Sequence, residues 1–190
     1  MPGPLVELFA QYARGAGAQV AVAADAQAAA SIIAGGPAGR VCCTAEVRDR
    51  YPALYRALTQ AGGPVAVAEE IAAQEPDRAA LAVALAGETG VLRARAGVAE
   101  TGSVVLADNG LAPRLLSMLA DVCVVLLPAT AILPDLDAAA ALLEQLDQAG
   151  CRYVSLVTGP SRTADIERVL TIGVQGPKTL QIIIVTQEDR

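Results

Sequence analysis

The sequence lacks histidine and tryptophan and has one phenylalanine and one lysine among its 190 residues. Without histidine, every Ser-His and Cys-His mechanism is excluded, so acid or base chemistry must use carboxylates, tyrosine, cysteine or Lys178. No C-x-x-C pair occurs among the four cysteines, which are Cys42, Cys43, Cys123 and Cys151. We therefore expect no zinc or iron–sulfur site made by this chain alone, name no cofactor that it must hold, and expect the buried, reduced thiols of a cytoplasmic protein.

Basic residues are few and scattered in a chain whose net charge is −6. Binding to a nucleic-acid backbone requires a stripe of positive charge, so no nucleic-acid partner is expected. No apolar run reaches the roughly 18 to 20 residues of a membrane span, and the N-terminal sequence MPGPLVELFAQYARG lacks the basic start and apolar centre of a signal peptide. We expect a soluble, cytoplasmic protein with no membrane partner, folded as a single domain over residues 1–190.

Short apolar runs alternate with helical patterns along the chain. The runs predict buried strands at 18–24, 40–44, 64–69, 102–107, 122–128, 153–159 and 180–187. Helical patterns occupy residues 26–34, 46–62, 134–150 and 161–173. This alternation predicts a three-layer α/β fold with a mostly parallel sheet. Residues 76–100 fit either a helix followed by a loop or a short strand around 82–86, and 108–110 read as a turn.

Three stretches could carry chemistry, because ligands in open α/β sheets bind beyond the carboxyl ends of the strands. In the first, Gly159 and Pro160 turn the chain into a predicted helix that Ser161 or Thr163 can cap. Arg162, beside free helix N–H groups, could clamp a carboxylate or phosphate. Alternatively Ser161 is only a cap and Arg162 pairs with Asp165 or another acid, and Asp165 and Glu167 already place negative charge there.

The second stretch is GVAETGSVVL at 97–106, in which Glu100 precedes a glycine-containing turn and an apolar strand. A partly buried Glu100 could act as a base or nucleophile, whereas an exposed one is an ordinary turn acid. The third is DNGLAPRLLSML at 108–119, where Arg114 follows a turn and is predicted to precede a short apolar helix. Arg114 then either projects to the same end of the sheet or pairs on the surface.

Together these stretches resemble the LUD-domain proteins of the lactate-utilisation protein C type. The residues that carry the resemblance are AETGSVVL at 99–106, RLLSML at 114–119, VCVVLLPATAILPDL at 122–136 and TGPSRTADIERVLTIGVQGPKTLQIIIV at 158–185, within a similar region of about 75–187. The resemblance implies the fold group of the sugar-phosphate isomerases and CoA transferases. It also implies a role in oxidising L-lactate to pyruvate, beside partner subunits that carry iron–sulfur clusters.

Two departures from the family pattern affect the expected ligand. Gln175 stands where family members commonly have histidine, and Arg93 and Arg95 replace small or acidic residues, which indicates either a different ligand charge or a diverged relative.

Three functional hypotheses follow from the residues and the resemblance. The first is an accessory or regulatory component of lactate oxidation that binds a small anion. Its ligand would be gripped by Arg162 and oriented or protonated by Glu100, with the cradle completed by Thr101, Gly102, Ser103, Gly159, Ser161, Thr163 and Gly176, and with Arg114 nearby. The second is a free-standing enzyme of the CoA-transferase, sugar-phosphate isomerase or folate cyclo-ligase type that uses Glu100. The third is a structural subunit whose pocket is vestigial.

Overall fold

Strands and helices alternate throughout the computed structural model, which describes residues 3–37, 39–75, 77–163, 171–173 and 176–187, with backbone alone at 163, 171 and 172. The first half comprises α1 (Pro4–Gly15), β1 (Gln19–Ala23), α2 (Ala26–Ala34), β2 (Val41–Cys43), α3 (Ala45–Arg50), α4 (Pro52–Gln60), β3 (Val65–Val67), α5 (Ala68–Gln74) and α6 (Arg78–Leu85). The second half comprises β4 (Thr89–Arg93), β5 (Ala96–Val98), β6 (Ser103–Ala107), α7 (Leu111–Leu119), β7 (Val122–Pro128), a 3₁₀ turn (Ala129–Ala131), β8 (Ile132–Leu133), α8 (Leu136–Gln148), β9 (Val154–Val157), β10 (Arg162–Thr163), β11 (Thr171–Ile172) and β12 (Thr179–Val185).

The central sheet has six strands in the order β1-β12-β7-β4-β2-β3, and every neighbouring pair is parallel. Successive residues of β12 face opposite layers: Ile182 and Ile184 pack with α1 and α7, while Ile183 and Val185 pack with α2 and α4. Helices thus cover both faces, which is why the central strands read as continuous apolar runs. The predicted three-layer α/β fold with a mostly parallel sheet is confirmed.

A second, smaller sheet was not foreseen from the alternation. It has the order β8-β5-β6-β9, and β6 runs antiparallel to both β5 and β9. One face of this sheet packs against α8 through a small cluster in which Ala96, Val98 and Val105 contact Ala139 and Leu143. The strands predicted at 102–107 and 153–159 therefore pair with each other in this sheet.

The local predictions hold in most places. Helix α6 agrees with the helix alternative for 76–100, but the loop expected after it contains β4 and β5. The helix predicted over 46–62 is two helices, because Pro52 cannot continue α3 and instead starts α4. Residues 108–110 bend as predicted, with the Asp108 carboxylate accepting the Gly110 N–H at 2.6 Å. Within the described ranges no helix is long and apolar enough to cross a membrane.

The helix predicted over 161–173 is wrong at both ends. Arg162 and Thr163 form β10, which pairs antiparallel with Ile172 and Thr171 of β11. The physical reason lies in the backbone around Ser161: its N–H donates to the Pro177 carbonyl and its own carbonyl accepts the Gly173 N–H, both at 3.0 Å. These bonds and the β10–β11 pairing hold the two positions where the helix was expected to begin and end next to each other. Residues 164–170, with Asp165 and Glu167, lie outside the described residues.

Candidate functional site

A cleft opens at the carboxyl end of β4, where the two sheets meet. We call it the β4 cleft; the residues lining it that matter below are Glu46, Arg93, Asp108, Arg114, Ser117, Tyr153 and Ser155. Glu46 lies in the first turn of α3 and Arg93 is the last residue of β4, and the pairing of Cys43 with Val91 brings these two elements together. The β4 cleft therefore occupies the edge at which open α/β sheets bind ligands.

Arg114 is the unusual group in the β4 cleft. Its guanidinium carbon lies 3.6 Å from the centroid of the Tyr153 ring, a cation–π stack. Its Nε is buried, and within the described residues that nitrogen has no hydrogen-bond partner and the guanidinium has no ion pair. The other buried and unpaired Nε, that of Arg40, belongs to a guanidinium that pairs with Glu88 at 3.0 Å. Arg114 is thus a fixed, partly desolvated cation whose donors point to no acceptor of the described chain.

The sequence pattern predicted that Arg114 precedes a helix. In the structure Arg114 lies inside α7 (Leu111–Leu119). The helix begins earlier than predicted because the Asp108 carboxylate fixes the bend at Gly110, the residue that precedes α7. Ala112 and Leu116 are buried on the inner face of α7, while Ser117 Oγ donates to the Arg114 carbonyl at 2.8 Å. This arrangement presents the Arg114 side chain to the β4 cleft.

Arg93 and Arg95, which together form one of the two departures from the family pattern, share one carboxylate. Glu46 Oε1 lies 2.7 Å from Arg95 Nη1, 3.6 Å from Arg93 Nη1 and 3.4 Å from Arg50 Nε. The side chain of Arg93 is 12% exposed and that of Glu46 22%, so the Arg93–Glu46 pair is weakly screened by solvent. Arg50 is 59% exposed and contributes little to the field inside the cleft.

The two segments predicted to form the ligand site do approach each other on one side. The pairing of Val104 with Val157 places Ser103 beside Thr158, and their hydroxyl oxygens lie 2.6 Å apart. Thr101 Oγ1 lies 2.7 Å from Ser103 Oγ. We call Thr101, Ser103 and Thr158 the hydroxyl cluster.

Both segments pack against the C-terminal end of α1. Gly102 adopts φ +67°, and a Cβ there would lie 2.1 Å from the Ala13 backbone nitrogen. At Gly159, with φ +76°, a Cβ would lie 2.2 Å from the Ala16 carbonyl oxygen. These glycines allow contacts that no other residue would permit.

Arg162 and its neighbours extend this region. The exposed Arg162 lies with its guanidinium against Gly17, and Gly176 packs on the side chain of Ser161. The side chain of Thr163 and residue Gln175 lie outside the described residues.

Glu100 is exposed, and its carboxylate accepts the Leu136 N–H at 3.1 Å, at the start of α8. Its own N–H donates to the Pro134 carbonyl at 3.1 Å. Glu100 therefore supplements Asp135, whose carboxylate accepts the Ala138 N–H at the same helix end. The observed contacts of Glu100 are those of a helix cap.

Arg114 is not near the hydroxyl cluster, so that part of the expected arrangement is wrong. Ser103 begins β6 and Ala107 ends it, and Ala107 pairs with Val154, next to the Tyr153 ring on which Arg114 stacks. Four strand residues separate the two ends by about 13 Å. The antiparallel pairing of β6 with β9 thus divides the predicted residues between two places.

Sequence reasoning missed most of the β4 cleft. Glu46, Ser117, Tyr153 and Ser155 were not singled out, and they come from three separate segments of the chain. One feature of the sequence did indicate the cleft, namely the two arginines Arg93 and Arg95 at the end of an apolar run. Basic residues at the carboxyl end of a strand lie at the edge of the sheet where ligands usually bind.

Burial disfavours the thiolate form of three of the cysteines in this fold. Burial raises the pKa of Cys42 to about 11, and burial first, then the neighbouring Cys42, raises the pKa of Cys43 to about 12. Burial alone raises the pKa of Cys123 to about 12. In the described ranges no group of three or more histidine, cysteine, aspartate or glutamate residues is arranged to hold a metal ion.

The thiols provide a direct check on this packing. At pH 8 the thiolate fraction of Cys42 is about one thousandth, so iodoacetamide is expected to alkylate the half-buried Cys151 and to spare the other three cysteines in the folded protein. Mass spectrometry before and after denaturation measures this. Rapid alkylation of Cys123 under native conditions would contradict the described core.

Comparison with known proteins defines the class to which this α/β fold belongs. The LUD domain family matches residues 6–185, and the chain belongs to that family. A relative named lactate utilization protein C 1, from Bacillus mycoides, is 36% identical over 108 residues, which cover 55% of this chain and 46% of the relative. Lactate utilization protein C of Anoxybacillus flavithermus is 37% identical over 89 residues, covering 47% of this chain and 40% of the relative.

These alignments cover less than half of each relative's own length. A solved structure, a DUF162 family protein from Deinococcus radiodurans, has a TM-score of 0.68 at 22% identity and covers 95% of this chain and 96% of its own. That likeness supports the fold alone.

Proposed function

We propose that this chain is an accessory or regulatory component of L-lactate utilisation that binds a small anionic ligand in the β4 cleft. Similarity to relatives named lactate utilization protein C supports the metabolic role. The ligand class is supported by the charges in and beside the cleft: Arg93 and Arg114 line it with Glu46 and Asp108, and Arg95, which pairs with Glu46, adds a third positive charge in a protein whose net charge is −6. We also propose that the chain acts beside partner subunits that carry iron–sulfur clusters. This part of the proposal is supported only by the family resemblance of residues 75–187.

The observation that carries the proposal is the state of Arg114. A buried donor without an acceptor costs about 1 to 3 kcal/mol, and more when it is charged. The stack on Tyr153 holds the guanidinium in place and recovers part of that cost. An anion in the cleft would supply the missing acceptor through charge-assisted hydrogen bonds, which are the strongest that an arginine makes.

Thermal unfolding with a panel of anions tests the proposal. At a hundred times its dissociation constant, a bound anion stabilises the folded protein by about 2.7 kcal/mol. For a chain of this size that corresponds to a rise in melting temperature of about 5 to 10 °C. We expect L-lactate or a related hydroxy acid to give such a rise at constant ionic strength. No rise with any carboxylate, phosphate or sulfonate would remove the proposed function.

The enzyme alternative assigns Glu100 as the nucleophile. The variant Glu100→Gln distinguishes this alternative from the binding proposal. The glutamine amide oxygen can still accept the Leu136 N–H, so the cap on α8 should persist. The binding proposal expects unchanged affinity for L-lactate in titration calorimetry. Turnover of an acyl-CoA or sugar-phosphate substrate that is lost in this variant would instead establish the enzyme.

A further inference from the structure

The charges that face the β4 cleft leave a single positive excess. Arg93 and Arg114 line the cleft, and Arg95 lies outside the lining with its Nη1 2.7 Å from Glu46 Oε1, so three arginines stand against the two carboxylates Glu46 and Asp108. The next carboxylate, Glu69, lines a neighbouring hollow on the other side of Pro113, and it interacts with Arg48. Burial raises the pKa of Glu69, and the negative charge of Asp108 raises it as well.

The arginines in and beside the cleft differ in whether a carboxylate of the chain already pairs with them. Arg93 and Arg95 both lie within ion-pair distance of Glu46 Oε1. Arg114 has no such partner in the described part of the chain. A ligand carrying one negative charge brings the cleft to neutrality. A second negative charge would lie unpaired near Glu46 and Asp108 in a half-buried site, where like charges repel strongly.

We propose that Glu46 sets the charge class of the ligand: together with Asp108 it offsets two of the three arginine charges, which restricts the β4 cleft to monoanions, with a monocarboxylate as the preferred class, and rejects dianions. This inference rests on the proposed function, because it presupposes anion binding at Arg114. It extends that function by naming the residue that selects the ligand and the property that is selected.

The wild-type protein tests the inference without any substitution. Methanesulfonate and sulfate present similar oxygen atoms but carry one and two negative charges, and L-lactate and malonate form a matched carboxylate pair. Dissociation constants from calorimetry at constant ionic strength are expected to favour the monoanion of each pair at least about tenfold. Equal or tighter binding of both dianions would overturn the inference while leaving anion binding intact. No binding of any of the four would overturn the proposed function as well.

Glu46→Gln then tests the assigned residue. Removing this carboxylate adds one unit of positive charge beside the ligand, so the preference for monoanions is expected to fall at least fivefold, with sulfate and malonate binding more tightly than to the wild type. Arg50→Gln is the matched control, because it removes the exposed partner of Glu46 outside the cleft and should leave the preference unchanged. Circular dichroism confirms that each variant is folded. A folded Glu46→Gln protein with the wild-type preference would exclude Glu46 as the selecting residue.

Discussion

Replacing Arg114 by methionine is expected to weaken binding of L-lactate about a hundredfold or more. Truncating one partner of a buried, hydrogen-bonded charge pair costs about 2 to 5 kcal/mol, and 2.7 kcal/mol corresponds to a factor of about one hundred. Methionine keeps an unbranched apolar stem in α7 and can still contact the Tyr153 ring, so the fold should tolerate the change. Calorimetric titration of the variant and the wild type measures the effect.

Two controls distinguish a ligand contact from a general loss of positive charge. Arg152→Met removes an exposed arginine beside Tyr153 that does not line the cleft, and affinity should stay within about twofold. Arg114→Lys keeps the charge but loses the planar group that stacks on Tyr153, so an intermediate affinity is expected. If Arg152→Met and Arg114→Met weaken binding equally, the effect is one of overall charge and the assignment of Arg114 fails.

Replacing Gly102 by alanine is expected to lower the free energy of unfolding by about 2 to 5 kcal/mol. Part of this cost, about 1 to 2 kcal/mol, is the left-handed backbone at φ +67°, which a side chain disfavours. The remainder comes from overpacking, because the new Cβ would lie 2.1 Å from the Ala13 nitrogen and 2.5 Å from its Cα, so α1 must move away. Denaturant unfolding measures the loss.

Gly150→Ala separates these two contributions. Gly150 has φ +81°, and a Cβ there meets nothing within 4 Å, so only the backbone cost applies. The difference between the two variants, about 1 to 3 kcal/mol, is then the contact between the turn at 101–103 and α1. Equal losses of stability would mean that this turn does not pack on α1 as described.

The sequence was sufficient to predict five of the six strands of the central sheet, but not β4, which lies where a loop was expected. Residues 122–128 and 180–187 form continuous apolar runs because helices cover both faces of β7 and β12, and that property depends only on local composition. The second sheet was not predictable in the same way. Its strands β6 and β9 have equally apolar sequences, and only their tertiary pairing makes them antiparallel. The prediction of a helix with ends at 161 and 173 failed for a similar reason, since the hydrogen bonds of Ser161 with Pro177 and Gly173 join residues that are distant in sequence.

The candidate site was predictable only in its parts. Arg114 was singled out from the sequence, and Arg93 and Arg95 were interpreted as a sign of either a different ligand charge or a diverged relative. The partners of these arginines were not evident, because they are distant in sequence. Glu46 lies 47 positions before Arg93, and Tyr153 lies 39 positions after Arg114. The order β4-β2 in the sheet brings the start of α3 to Arg93, and nothing in the local sequence specifies that order.

A crystal structure of the protein with L-lactate is the most direct test of the central claim, that Arg114 anchors an anion in the β4 cleft. The account predicts a carboxylate oxygen about 2.7 to 3.2 Å from a guanidinium nitrogen of Arg114, with the stack on Tyr153 retained. Lactate bound instead at the hydroxyl cluster beside Arg162, with Arg114 uncontacted, would contradict it and favour the site first predicted from the sequence.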